Sequence, residues 1–222
     1  GIELMLGSIA LGAAQVMVLA AGSEAPEYAG AVGRQMALGE EILAGFGHAT
    51  GRLQWLAAAN MEAAAQSIWA LESPPSIQAA SFNLTNEKRS TLDFVFDHLR
   101  SQAPKPVETI ALKAGAPFGS IAVDAGKCTL CMACVGACPE GALLDSKEAP
   151  ALRFIEQNCV QCELCVRTCP EQALALEPRL LLTPQAKQPR TLNEAQVFPC
   201  IKCGKPFGTK QMVDTMLAKL GQ

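Results

Sequence analysis

Cys128-Thr129-Leu130-Cys131-Met132-Ala133-Cys134-Val135-Gly136-Ala137-Cys138-Pro139 is echoed by Cys159-Val160-Gln161-Cys162-Glu163-Leu164-Cys165-Val166-Arg167-Thr168-Cys169-Pro170. Both stretches read C-x2-C-x2-C-x3-C-P, and one constant offset relates every pair of cysteines, Cys128 to Cys159 through Cys138 to Cys169. Glu140 and Glu171, and Ala142 and Ala173, keep the same offset. Three soft thiolates two residues apart can wrap one metal centre from a single tight loop, and the fourth must come from outside that loop. A disulfide framework is excluded by spacing, because disulfide scaffolds do not double a four-thiol loop with Cys-Pro endings. Zinc knuckles are excluded too, because they pair thiols two by two rather than three plus one.

The doubled run resembles the bacterial two-cluster ferredoxins, in which each fourth cysteine serves the other run's cluster. The resemblance implies two [4Fe-4S] clusters. Cluster I would be held by Cys128, Cys131, Cys134 and Cys169, and cluster II by Cys159, Cys162, Cys165 and Cys138. Metal would then supply folding energy that a small core cannot. The implied fold is a ferredoxin-like module over 116–182, with strands at Ile121–Val123 and Leu152–Ile155 before the cysteine loops. Short helices are expected after Pro139 and Pro170, since proline suits a first helical turn.

The 222 residues allow one or two domains. Half are hydrophobic and only 5% aromatic, which suits helices and α/β layers. The fold class read here is α+β: an incomplete, parallel-sheet α/β domain at 1–80, a helix and Pro-containing linker at 81–115, the cluster module, and a helical tail at 183–222. Ten thiols kept for metal point to a reducing compartment, the cytoplasm. Residues 117–180 hold eight acids against five bases, whereas 183–222 hold six bases against two acids. That division fits charge-steered docking to redox protein partners, an electron donor and an acceptor, and not nucleic acid.

The chain starts at Gly1 in apolar sequence and reads as part of a longer protein. Residues 4–23 carry no charge, yet Gly7, Gly12 and Gly22 interrupt them and no Lys or Arg flanks them. A helix and a strand at Val16–Ala20 are expected there, with no membrane span. Pro26 and Glu27 open a helix that runs to Gly45-Phe46-Gly47. Arg52–Ala57 reads as a strand and Met61–Leu71 as a helix with Met61, Ala64, Ile68 and Leu71 on one face. Alternating strands and helices imply a parallel sheet, and this stretch is short of strands for a complete one. A further amphipathic helix is expected at 85–100, and a short strand around Ile110 and Leu112. Trp55 and Trp69 read as core residues, and His48 and His98 as surface or helix-end residues.

Ala10-Leu11-Gly12-Ala13, Val16–Leu19, Tyr28, Arg34, Ile42-Leu43, Gly45 and Arg52–Trp55 resemble the delta-type iron–sulfur subunit of methyl-viologen-reducing hydrogenases. That family passes electrons to heterodisulfide reductase through cysteines in this domain. Here no cysteine precedes Cys128, so the resemblance implies a scaffold or docking domain without a redox centre.

Cys200-Ile201-Lys202-Cys203-Gly204 has the form of half a metal knuckle. Three readings stand open: a reduced pair without metal, a zinc or cluster site completed by other ligands, and a disulfide. The C-terminal half, with Phe198–Phe207, resembles ferredoxin-type proteins encoded beside bacterial formate dehydrogenases. Gly208–Leu220 reads as a helix whose Met212, Val213, Met216, Leu217 and Leu220 stripe belongs to a core. No dinucleotide fingerprint, catalytic triad, paired carboxylates or small-molecule substrate site stands out, and no catalytic residue is assigned. The expected role is single-electron transfer between partner proteins. The alternatives are a non-catalytic subunit of a hydrogenase or heterodisulfide-reductase-type complex, and an assembly or docking protein with structural clusters.

Overall fold

A computed structural model describes residues 1–20, 22–58, 60–146 and 149–221. The chain forms two compact units, Gly1–Leu112 and Lys113–Gln222, and mixes helices with sheets as an α+β protein does. No helix among the described residues is long and apolar enough to cross a membrane.

In the first unit, α1 (Ile2–Ala10) buries Ile2, Met5, Leu6, Ile9 and Ala10. Strand β1 (Val16–Ala20) is followed by α2 (Pro26–Gly45), with proline in its first turn and Glu27 beside the helix N-terminus. Strand β2 (Leu53–Ala57) pairs in parallel with β1, Val16 opposite Leu53 through Ala20 opposite Ala57. Among the described residues the sheet stops at these two strands, as the expected shortage of strands requires. Glu40 of α2 accepts hydrogen bonds from the backbone N–H groups of Gly51 (2.7 Å) and Leu53 (2.6 Å), which fixes where β2 begins.

Helix α3 (Met61–Trp69) is capped by Asn60, whose side chain accepts from the Ala63 N–H. Its expected buried face is largely outside, with Met61 81% and Ile68 47% exposed and only Ala64 buried, and Trp69, expected in the core, is 88% exposed. Helix α3 lies on β2 at the edge of a two-stranded sheet, and Trp69 stays outside it. Helix α4 (Lys88–Ser101) buries Leu92, Val95, Phe96 and Leu99 and packs on α1. Strand β3 (Thr109–Ala111) closes the unit with Ile110 buried. His48 and His98 each meet a backbone carbonyl through Nε2, that of Leu99 (3.0 Å) and that of Gln78 (2.7 Å).

The second unit repeats itself. Strand β4 (Gly119–Val123), helix α5 (Ala133–Ala137) and strand β5 (Leu143–Asp145) form one half. Strand β6 (Ala151–Phe154), helix α6 (Leu164–Thr168) and strand β7 (Leu174–Leu181) form the other. The strands are exchanged: β4 pairs antiparallel with β7, and β5 with β6. Ile121 faces Leu176 and Val123 faces Leu174, while Leu152 faces Asp145 and Phe154 faces Leu143. The second set of registers is the first one displaced by the offset of the cysteine repeat. Ile121, Leu143, Leu152, Phe154 and Leu174 then share one buried cluster with Cys134, Cys159 and Cys165.

Two expectations are corrected here. The short helices precede Cys138 and Cys169 instead of following the prolines. After Pro139 and Pro170 the chain turns through left-handed residues, Gly141 (φ 60°) and Gln172 (φ 50°), into strands. The left-handed residue stops a helix there and frees the next N–H groups for sulfur. The tail is likewise not wholly helical. Strand β8 (Arg190–Glu194) pairs with β6, and β9 (Val197–Pro199) with β10 (Pro206–Thr209) ahead of α7 (Lys210–Leu220). Helix α7 lies on β9 and β10, and its Gln211 Nε2 donates to the Ala125 (3.0 Å) and Gly126 (2.8 Å) carbonyls, while Met216, Leu217 and Leu220 stay exposed instead of in a core.

Arg52 ties the first unit together. It is buried and donates from Nε to the Ala49 carbonyl (3.1 Å), from Nη1 to that of Ala14 (2.7 Å) and from Nη2 to that of Pro75 (2.7 Å). Hydrogen bonds to a charged group contribute about 1.5–3 kcal/mol each, and carbonyls left unpaired cost more. Arg52→Met is expected to destabilise this unit by about 3 kcal/mol. Both tryptophans, Trp55 and Trp69, lie in this unit, so urea unfolding followed by tryptophan fluorescence reads it alone. An unchanged midpoint would show that the three carbonyls are satisfied without the guanidinium.

Candidate metal centre

The cysteine loops owe their shape to left-handed backbone. Leu130 (φ 56°) and Met132 (φ 60°) in the first loop match Gln161 (φ 53°) and Glu163 (φ 66°) in the second, at equivalent points of the repeat. Side-chain-bearing residues pay about 1–2 kcal/mol each for this conformation, so it persists only where the surroundings enforce it. The gain is a chain that curls tightly enough to aim successive thiols inward.

A cavity is lined by Cys128, Cys131, Cys134 and Cys169, with Leu130, Leu152 and Leu174 as its apolar wall. A second is lined by Cys138, Cys159, Cys162 and Cys165, with Ile121, Leu143 and Leu176. Each holds three thiols of one loop and the fourth of the other, and Glu171 and Glu140 stand at matching points of the two linings. Among the described residues no three His, Cys, Asp or Glu side chains converge as tightly as a single ion needs. Sulfurs spread around a cavity suit a polynuclear iron–sulfur centre, and an all-thiolate donor set is its usual ligation.

Backbone N–H groups are aimed at the sulfurs. Ala142 donates to Cys138 Sγ (3.3 Å) and Ala173 to Cys169 Sγ (3.4 Å), a symmetric pair. The second loop adds a side-chain bond, because Gln161 Nε2 donates to Cys159 Sγ (3.3 Å) and also to the Ser120 carbonyl (2.9 Å). Its counterpart in the first loop is Leu130, whose side chain has nothing to donate.

Cys131 and Cys162 are exposed, whereas Cys134, Cys159 and Cys165 are buried. Burial pushes the Cys134 thiol up to about 12, and the sulfurs of Cys128, Cys165 and Cys131 add to the rise. Burial likewise raises Cys165 to about 11, with Cys159 as the next cause. Cys159 is raised by burial against the opposing hydrogen bonds from Gln161. Such thiols ionise only against a strongly positive centre, so ligation releases protons.

Cys200 and Cys203 lie elsewhere. They occupy the turn between β9 and β10, where the Gly204 N–H donates to the Cys200 carbonyl (2.8 Å) and the Cys200 N–H to that of Lys205 (2.8 Å). Phe198 and Phe207 meet edge to face at 5.7 Å. Hydrogen bonds from the Cys203 and Lys202 backbone, and from Cys203 itself, hold the Cys200 thiol below its ordinary value. Among the described residues no third ligand joins the pair.

The eight loop cysteines were legible from spacing alone. The Gln161 contact was missed, although comparing the repeats position by position exposes Leu130 against Gln161. No curated protein matches the chain. Residues 127–174 match the family of 4Fe-4S dicluster domains. This part of the chain is an iron–sulfur domain of ferredoxin type, and it gives the protein an electron-transfer role.

Proposed function

We propose that the protein carries single electrons through two [4Fe-4S] clusters between partner redox proteins. Cluster I would be held by Cys128, Cys131, Cys134 and Cys169, and cluster II by Cys159, Cys162, Cys165 and Cys138. The observation that carries this reading is the pair of cavities, each lined by three thiols of one loop and one of the other. When bound, a cluster of this kind takes up and releases one electron.

The chain's own residues do the rest. The leucine and isoleucine walls keep water from the inner sulfurs, and the N–H groups of Ala142 and Ala173 offset the negative charge of Cys138 and Cys169. Cys134 and Cys165 are both buried, and the Cys165 sulfur adds to the rise of the Cys134 thiol, which favours two sites that approach each other on the inside. Cys131 and Cys162 are exposed and would face donor and acceptor. The acidic charge of 117–180 favours partners with basic surfaces. A reducing, cytoplasmic setting fits ten cysteines without a disulfide. The link to formate oxidation rests on the resemblance of Phe198–Phe207. The first unit, which has no cysteine, would serve docking within a larger oxidoreductase.

Anaerobically purified protein is expected to contain about eight iron and eight sulfide atoms per chain, as two cubanes require. About four of each would defeat the two-cluster assignment. Cys169→Ala should abolish the cluster built by Cys128, Cys131 and Cys134 and sharply lower the stability of the module, because binding and folding are coupled. EPR of the variant decides the pairing: loss of the other cluster instead would overturn it. In the loaded protein, two thiols per chain should react with iodoacetamide, Cys200 first. Cys200→Ser with Cys203→Ser should abolish that reaction and leave the iron content unchanged. Iron loss in that double variant would mean that the eight ligands are wrongly assigned.

A further inference from the structure

The two halves of the iron–sulfur domain differ most informatively at Leu130 and Gln161. Both residues share the left-handed conformation at the same point of their loops, so their backbones offer the same environment. Their side chains do not. Gln161 spends its amide N–H groups on Cys159 Sγ and on the Ser120 carbonyl, while its Oε1 is buried without a partner among the described residues. Turning the amide over would set oxygen against the Ser120 carbonyl oxygen, so the donors must face the sulfur. A buried acceptor left unpaired costs about 1–3 kcal/mol, a cost that neither the turn nor the sheet requires.

The surroundings hold Gln161 in this position. A Cβ on Gly119 would stand 2.6 Å from Gln161 Cδ and 2.5 Å from the Glu177 carbonyl oxygen, so the side chain lies in a space that only glycine leaves open. Ser120 is itself fixed, buried in β4 opposite Glu177 and bonded through Oγ by Arg190. Arg190 rests over the Phe154 ring at 5.3 Å and reaches Glu156 (3.6 Å), which Arg179 clamps with two hydrogen bonds (2.8 and 2.7 Å). In the first half Ala125 takes the place of Glu156, so that half has no counterpart of this network.

We infer that Gln161 sets a redox asymmetry, making the cluster beside Cys159 the higher-potential of the two and the place where a single transferred electron rests. The inference rests on the two-cluster reading. An N–H bond to a ligating sulfur stabilises the more negative, reduced state, and such bonds are among the determinants of cluster potential. One electron supplied by a redox partner to the Cys128 site would pass to the Cys159 site, oxidising the first and reducing the second with no proton moved.

The test is an EPR-monitored redox titration of the cluster-loaded full chain. The wild-type protein should show two separated midpoint potentials. Gln161→Leu, which copies the first loop, should lower the higher potential and leave the lower one in place. The expected size is about tenfold in the one-electron equilibrium, or about 59 mV. Gln161→Met, of similar reach and without a donor, should do the same if the leucine variant loses iron. A single shared potential in the wild type, or a shift of the lower potential in either variant, would overturn the inference. Iron analysis of the same samples separates the two ideas. Unsplit potentials with about eight iron atoms per chain would sink the role of Gln161 and leave the two-cluster reading standing. A chain that binds one cluster would sink both.

Discussion

Neither half of the iron–sulfur domain is complete alone, and that incompleteness governs the rest of the structure. Each half lends its last strand to the other's first, β7 to β4 and β5 to β6. Each also lends its fourth thiol to the other's cavity. The two exchanges are one device, because Cys138 and Cys169 stand directly before the turns that lead into β5 and β7. A strand placed correctly therefore delivers its sulfur correctly. With little aromatic mass to fill a core, the core and the cysteine cavities share the same few residues, and Leu143, Leu152 and Leu174 both fill the one and wall the other.

The symmetric frame also makes the departures from symmetry readable. Gly141 and Gln172, Leu130 and Gln161, and Met132 and Glu163 adopt the same backbone although their side chains differ in kind. The loop therefore imposes the conformation, and the side chain is free to vary in function. Gln161 uses that freedom toward a sulfur, whereas Glu163 uses it for a solvent-facing pair with Arg167 (3.0 Å).

Spacing in the sequence singled out the eight cysteines that line the two cavities, because a metal-binding loop constrains residue type and offset together. The strands Val16–Ala20, Leu53–Ala57 and Gly119–Val123 were legible within a residue or two from apolar runs between turn residues, read as Val16–Ala20, Arg52–Ala57 and Ile121–Val123. What escaped was set by tertiary context. The prolines after Cys138 and Cys169 suggested helix starts, but the left-handed residue two positions on overrides that local preference. Trp69 and the Met216–Leu217–Leu220 stripe have the spacing of core faces, yet whether such a face is covered depends on how many elements lie near it. The hydrogen bond from Gln161 depends on Gly119 and Ser120, which lie ahead of the first cysteine loop, and no local pattern contains it.

The positions of the fourth thiols have a consequence for assembly. Along the chain, the span from Cys138 to Cys165 lies wholly inside the span from Cys128 to Cys169, so the proposed sites are nested rather than consecutive. Closing the inner span leaves only the short stretches from Cys128 to Cys138 and from Cys165 to Cys169 still free in the outer one. The entropy of closing a loop falls with its effective length, so filling either site makes the other easier to fill. Under the proposed ligation, nesting would turn two binding events into a cooperative one and disfavour a half-loaded protein with bare thiols. Synthesis order adds a direction, since every ligand of the inner site leaves the ribosome before Cys169 completes the outer one.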